Sequence, residues 1–165
     1  LLRAGVSLLA YHLPLDGHAT LGNNAQMLAA LSLTPCGEFA VGGGLRAPVG
    51  EWATARTAVE VVAEVERVCG QRPIWLAGGS SAVRRVAVCT GGAASAFEAA
   101  AAAGCDMYVT GEPSEPAQAL ARELGVHFVA AGHHATERFG VRALAGVIGA
   151  TFGIDAVFVD VDNPV

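Results

Sequence analysis

From Arg84 onward the chain alternates strand-length apolar runs with helix-length segments, and this alternation limits its fold more than any other feature. "RRVAVC", "DMYVTG", "VHFVAAG" and "DAVFVDV" are short and apolar; between them stand "ASAFEAAAAAG", "EPAQALARELG" and "ATERFGVRALAGVIGATFG". A parallel strand pair needs a long crossover, and a helix of this length supplies it. The pattern predicts βαβ units in one domain over residues 1–165: an α/β fold with a mainly parallel sheet and helices on both faces. Gly104 and Gly125 stand where helix-ending glycines belong.

The first half is less regular. "GVSLLAYH" reads as a strand closed by Pro14 and an Asp16-Gly17 turn, with proline excluding a regular helix there and extending Leu13. Residues 22–33 have helical spacing, with Met27, Leu28, Ala30 and Leu31 on one stripe and Asn23 or Asn24 as cap. "EFAVGG" is a short strand running into the glycines 42–44. Residues 51–69 read as the longest helix, with Val59, Val62, Ala63, Val65 and Val68 turned inward and Gly70 as its stop.

Composition removes several function classes. No apolar run reaches the roughly 18 uninterrupted residues that cross a bilayer. The apolar start has one basic residue, Arg3, and no small-residue cleavage site, so it does not read as a signal peptide. Net charge is −5 and all ten basic residues are arginine without a basic stripe, which argues against a nucleic-acid surface. Cys36, Cys69, Cys89 and Cys105 form no C-x-x-C pair, and buried reduced thiols in a cytoplasmic protein are expected.

Ligands of parallel sheets bind beyond the carboxyl ends of the strands, where four segments are polar: "YHLPLD", "CTGGAAS", "TGEPSE" and "GHHATE". His133 and Glu137 are four apart, so a helical first turn sets an imidazole and a carboxylate on one face, as two ligands to one ion require. The same residues also serve as a plain helix start, with the glutamate complementing the dipole. "YHLPLDGH" offers His12, Asp16 and His18, or only a turn. Gly91 and Gly92 suit an anion site or a tight strand-to-helix turn, and match neither G-x-x-x-x-G-K-[ST] nor G-x-G-x-x-G. Glu112 borders the same rim.

"YHLPLDGHATLGNNAQMLAAL", "VAVCTGGAASAFEAAAAAGCDMYVTGEPSE", "HFVAAGHHATERFGVRAL" and the terminal "VDVDNPV" together resemble the NIF3-like family, in the family's order and over nearly the whole chain. The resemblance implies an α/β protein with two divalent metal ions per subunit, assembled as a toroidal homo-hexamer and named a GTP cyclohydrolase 1 type 2 homologue in bacteria. It implies that Asp16, His133 and Glu137 are metal ligands, that His12 is a ligand or lies beside them, and that His134 lines the pocket. The family's remaining ligands are a His-His pair upstream of the matched blocks. The chain, which starts at Leu1, is therefore expected to lack the family's N-terminal part. Nitrogen and oxygen donors suit Zn, Fe, Mn, Ni or Co alike. The reaction expected of such a site is hydrolysis of a small molecule, with His12 or Glu112 carrying protons. Its rivals are a non-enzymatic metal-binding assembly or interaction protein, and a metal-free phosphate-binding module built on Gly91 and Gly92.

Overall fold

The computed structural model describes residues 1–163. Strands β4 (Ala82–Val88), β5 (Met107–Thr110) and β6 (His127–Ala130) are parallel neighbours inside a six-stranded sheet. Every residue of β5 and β6 is buried, because helices cover both faces of these strands. Alternate residues enter two cores. Val86, Val88, Met107, Val109 and Val129 pack with α2 (Asn23–Ala30) through Met27 and Leu28, and with α3 (Ala58–Cys69) through Val61 and Val65. Ala87, Tyr108 and Phe128 pack on the opposite face with α4 (Phe97–Ala102) and with Ala117 and Ala121 of α5 (Ala117–Leu124).

The α/β architecture is as the alternation predicts, and its parallel part is these inner strands. On one side β1 (Thr34–Gly42) and β2 (Leu45–Thr57) form an antiparallel hairpin, and β2 pairs antiparallel with β4. On the other side β3 (Ile74–Leu76) pairs antiparallel with β6. Glycines 42, 43 and 44 all have positive φ, so the chain reverses at once and needs no crossover helix.

Several local expectations are corrected. Residues 51–57 finish β2, and the helix starts only at Ala58. Its start is written as a capping box: Glu60 N donates to Thr57 Oγ1 at 3.3 Å, and Thr57 N donates to Glu60 Oε2 at 2.8 Å. That frame turns Ala58, Val61, Val65 and Cys69 inward and leaves Val59 65% exposed. Pro14 is the third residue of α1 (His12–Asp16), where a missing N–H loses no helical partner. Asn23 and Asn24 are not caps; Gly22 is, and both asparagines are buried in the first turn of α2. The expected long last helix is two: α6 (His133–Thr136) and α7 (Phe139–Phe152). Gly140 N donates to Asn23 Oδ1 at 2.6 Å, so a side chain from α2 takes a donor that a continuous helix would have used itself.

The predicted strand "DAVFVDV" is irregular, and so is "GVSLLAYH" up to His12, where α1 begins. Neither meets a pairing strand among the described residues, and Leu8, Leu9, Val157, Val159 and Val161 are exposed. No helix of the described residues is long and apolar enough to cross a membrane. Cys69, Cys89 and Cys105 are buried free thiols, as expected, and Cys36 is exposed. Burial pushes the Cys69 thiol up to about 12 and the other two to about 11, so none of the three is a ready nucleophile.

Candidate metal centre

The carboxyl ends of β4, β5 and β6 are laced together by their own backbone. Gly91 O accepts from Gly111 N at 2.9 Å, Glu112 N at 3.2 Å and Thr110 Oγ1 at 3.2 Å. Gly132 N donates to Gly111 O at 2.9 Å, and Gly91 N to Thr136 Oγ1 at 3.0 Å. Gly91 must be glycine twice over. Its φ is +71°, and a Cβ there would overlap Glu137 Oε1 and stand 3.2 Å from His133 Nε2. Gly91 thus makes room for two side chains of α6 and its C-cap.

On that floor His133 is held between two carboxylates. Its Nδ1 lies 2.5 Å from Glu112 Oε1, and its Nε2 lies 3.1 Å from Glu137 Oε2. Across the cavity His12 Nε2 is 3.6 Å from Asp16 Oδ2, one helical turn apart on α1. Donor atoms of His12, Asp16 and Glu137 all lie within 4.8 Å of one another. Asp16, His133 and Glu137, singled out in sequence, line one cavity of about 420 Å³ together with His12. Glu112 lies on its far side, lining an adjoining cavity of about 430 Å³ with His133, His134, Glu137 and Asn163. His134 points to Asp160, 3.3 Å away. His18 belongs to a turn, where its Nδ1 accepts from Leu21 N at 3.1 Å. A cavity of about 610 Å³ beside His134 and Arg138 contains none of His12, Asp16, His133 or Glu137; the donors converge in the smaller space.

Sequence reasoning missed what holds Asp16 there. Asn23 Nδ2 donates to Asp16 Oδ1 at 2.6 Å while its Oδ1 accepts from Gly140 N. Asn24 Oδ1 accepts from Thr90 N at 2.8 Å and Thr90 Oγ1 at 3.0 Å, tying α2 to the end of β4. Gly22 lets α1 and α2 close up, since a Cβ there would stand 2.5–2.6 Å from the carbonyl oxygens of Leu15, Asp16 and His18. Asparagine commonly caps helices, so "GNNAQ" reads as a helix start before it reads as a clamp. Arg46, which among the described residues is the one arginine lining the site cavity, was also missed; it is paired with Glu38 at 2.8 Å on the adjacent hairpin strand.

The hydrogen bond to Glu112 raises the His133 pKa above 6.5, burial opposes it, and the Glu137 charge adds to the rise. A raised folded pKa stabilises the fold fully below about pH 6.5 and loses that stabilisation as pH climbs through the folded value. With metal chelated, the urea midpoint should therefore fall as pH rises above about 6.5, and Glu112→Gln should flatten the fall. Identical pH profiles for the two proteins would show that the Glu112 contact does not set this titration.

The donor set suits a divalent ion. It is all nitrogen and oxygen, it mixes one or two imidazoles with two carboxylates, and Glu112 on His133 Nδ1 leaves Nε2 as the nitrogen facing Glu137. A part-buried side-chain bond from Asn23 fixes one carboxylate in advance.

The fold and site define an α/β protein with a mixed sheet whose central strand ends carry a histidine–carboxylate cluster. The chain belongs to the Duf34/NIF3 (NGG1p interacting factor 3) family, whose model matches residues 1–164. It is 43% identical over 165 residues to an Escherichia coli protein named GTP cyclohydrolase 1 type 2 homolog, covering 99% of this chain and 65% of that one. A Neisseria meningitidis serogroup B protein of the same name is 42% identical over 164 residues, with the same coverage of each. The solved structure of protein ybgI, of unknown function, superposes with a TM-score of 0.88 at 43% identity, over 96% of this chain and 63% of that one. TTHA1606 from Thermus thermophilus gives 0.84 at 29% identity, over 99% and 64%. The chain thus spans about 65% of the length of the curated relatives it matches.

Proposed function

We propose that this protein binds divalent metal at the cavity of Asp16, His133 and Glu137, with His12 as a further ligand or neighbour, and uses it to hydrolyse a small molecule. The observation that supports the reading most is the convergence of His12 and Asp16 on Glu137 within 4.8 Å, across more than a hundred intervening residues. Two ions per subunit, completed by histidines from the part of the family's length that this chain does not span, follow from the family resemblance. When bound, such ions lower the pKa of a water and polarise the group it attacks.

The chain's own residues supply the rest. Glu112 accepts a hydrogen bond from His133 Nδ1 and holds the ring with Nε2 toward the cavity. His12, whose side chain is 74% exposed at the mouth, is placed to carry a proton at Nε2 between solvent and the site. Leu13, Val41 and Leu45 form an apolar wall, and a volume of about 420 Å³ takes a small organic substrate. The exposed Leu8, Leu9, Val157, Val159 and Val161 support assembly into the homo-hexamer that the resemblance implies. Three buried free thiols favour a cytoplasmic setting.

The test strips the purified protein with a chelator, reloads Zn, Mn, Fe, Ni or Co singly, and measures metal content beside turnover of nucleotide, phosphoester and amide panels. Turnover that appears only on reloading is the expected result. Stoichiometric metal without turnover of any panel member favours a non-enzymatic metal-binding assembly instead, and nucleotide affinity that survives chelation favours a phosphate site at Gly91 and Gly92.

A further inference from the structure

We infer that the C-terminal tail is a built part of this site, with Asp160 as the residue that positions the turn carrying His133 and Glu137. The tail after α7 has no regular structure over residues 153–163, yet it is fastened at Asp160. Asp160 Oδ1 lies 3.3 Å from His134 Nε2; its Oδ2 accepts from Arg138 Nη1 at 2.7 Å and Arg142 Nη2 at 3.0 Å. The Arg142 guanidinium also lies over the Phe158 ring, 4.3 Å from its centroid, so two tail residues two apart grip one arginine. Arg138 continues the chain of contacts inward, donating from Nη2 to Cys69 O at 2.7 Å at the end of α3.

The consequence lies in the numbering. His134 follows His133 and Arg138 follows Glu137, so one carboxylate holds the residue after each candidate ligand. The turn needs such a hold. Helix α6 has four residues and no side-chain bond at its N-cap, and a helix that short is not stable alone. From inside, Glu112 and Gly91 contact its side chains and Thr136. From outside, Asp160 is the clamp. The tail then runs on to the site itself, where Asn163 lines the adjoining cavity with Glu112, His133 and Glu137. A lone exposed ion pair contributes little, but here one carboxylate is shared by three partners and Arg138 is mostly buried.

The role is tested on the full chain with Asp160→Asn, read by amide hydrogen exchange at residues 135–137 without metal and by Co²⁺ titration followed in the visible spectrum. Exchange should quicken about tenfold, and Co²⁺ affinity should drop about tenfold with an altered band shape, in the range of losing a residue that orients a ligand. Arg142→Gln trims one arm of the cluster and should shift both readouts the same way by less, which keeps the test decisive if Asp160→Asn folds poorly. Asp16→Asn should abolish Co²⁺ binding while leaving exchange at 135–137 unchanged. Unchanged exchange in Asp160→Asn overturns the inference, and so does faster exchange with unaltered Co²⁺ affinity, which would make the tail merely structural. If the wild-type protein takes up no Co²⁺ at all, the metal reading falls on its own, and the exchange rates alone decide whether Asp160 holds the turn.

Discussion

Asp16→Ala and Glu137→Ala should each lower divalent-metal affinity by about a hundredfold or more, measured by competition against a chromophoric chelator at neutral pH. Residues that merely orient a ligand cost about 10- to 100-fold when lost, and a ligand itself should cost at least the upper end of that range. The two substitutions act from opposite sides of the cavity, one from α1 and one from the C-cap of α6, so a shared loss would place both at one ion. Asn23→Ala belongs to the same experiment. It removes the 2.6 Å bond that fixes Asp16, and it leaves Gly140 N without its acceptor. Its affinity loss should be smaller than that of Asp16→Ala, about tenfold, and accompanied by lower stability. Asp16→Ala with wild-type affinity would remove Asp16 from the ligand set and with it the carboxylate contributed by α1.

The parts of this site legible in the sequence are those whose signal is local. "GHHATE" places His133 and Glu137 one turn apart by helical spacing alone, and the structure has Nε2 and Oε2 3.1 Å apart. The runs "DMYVTG" and "VHFVAAG" are strands because apolar segments of that length, bounded by glycine, suit a sheet buried on both faces. Elsewhere a strong rule was applied one step too far. Proline breaks a helix interior, but Pro14 stands in a first turn, and the five-residue α1 needs no donor from it. A run of alanine, valine and glutamate over residues 51–69 hid the strand end at Thr57, although the T-x-x-E box at Thr57 and Glu60 was there to mark it. The strand-like valines 157, 159 and 161 show the opposite limit. Their alternation is a property of the segment, whereas a strand is a property of a pair, and no partner lies among the described residues. The asparagine clamp was illegible because it joins residues 23 and 24 to residues 16, 90 and 140, and no spacing rule spans such distances.

The largest stability effect should come from Tyr108, which joins the core to the site floor. It is fully buried, stacked on Phe97 with ring centroids 5.7 Å apart and edge-on to Phe39 and Phe128 at 5.9 and 5.8 Å. Its hydroxyl donates to Ala93 O at 2.6 Å, and burial holds its pKa well above the usual phenol range, so it stays a donor. Tyr108→Ala empties the centre of that aromatic cluster and should cost about 3–5 kcal/mol. That is a large share of the roughly 5–15 kcal/mol by which a domain is stable. Tyr108→Phe keeps the ring and removes one of the two hydrogen bonds to Ala93 O, which still accepts from Ala96 N at 3.0 Å, at a cost of about 0.5–1.5 kcal/mol. The two variants separate packing from positioning. Ala93 follows Gly91 and Gly92, so losing its tie to the aromatic core should loosen the turn beneath Glu137 and weaken metal binding even where the core is intact. Urea denaturation of metal-free protein measures the first effect and chelator competition the second. If Tyr108→Phe binds metal as tightly as the wild type, the aromatic core does not set the geometry of the Gly91 turn, and the hydroxyl only adds a second bond to a buried carbonyl.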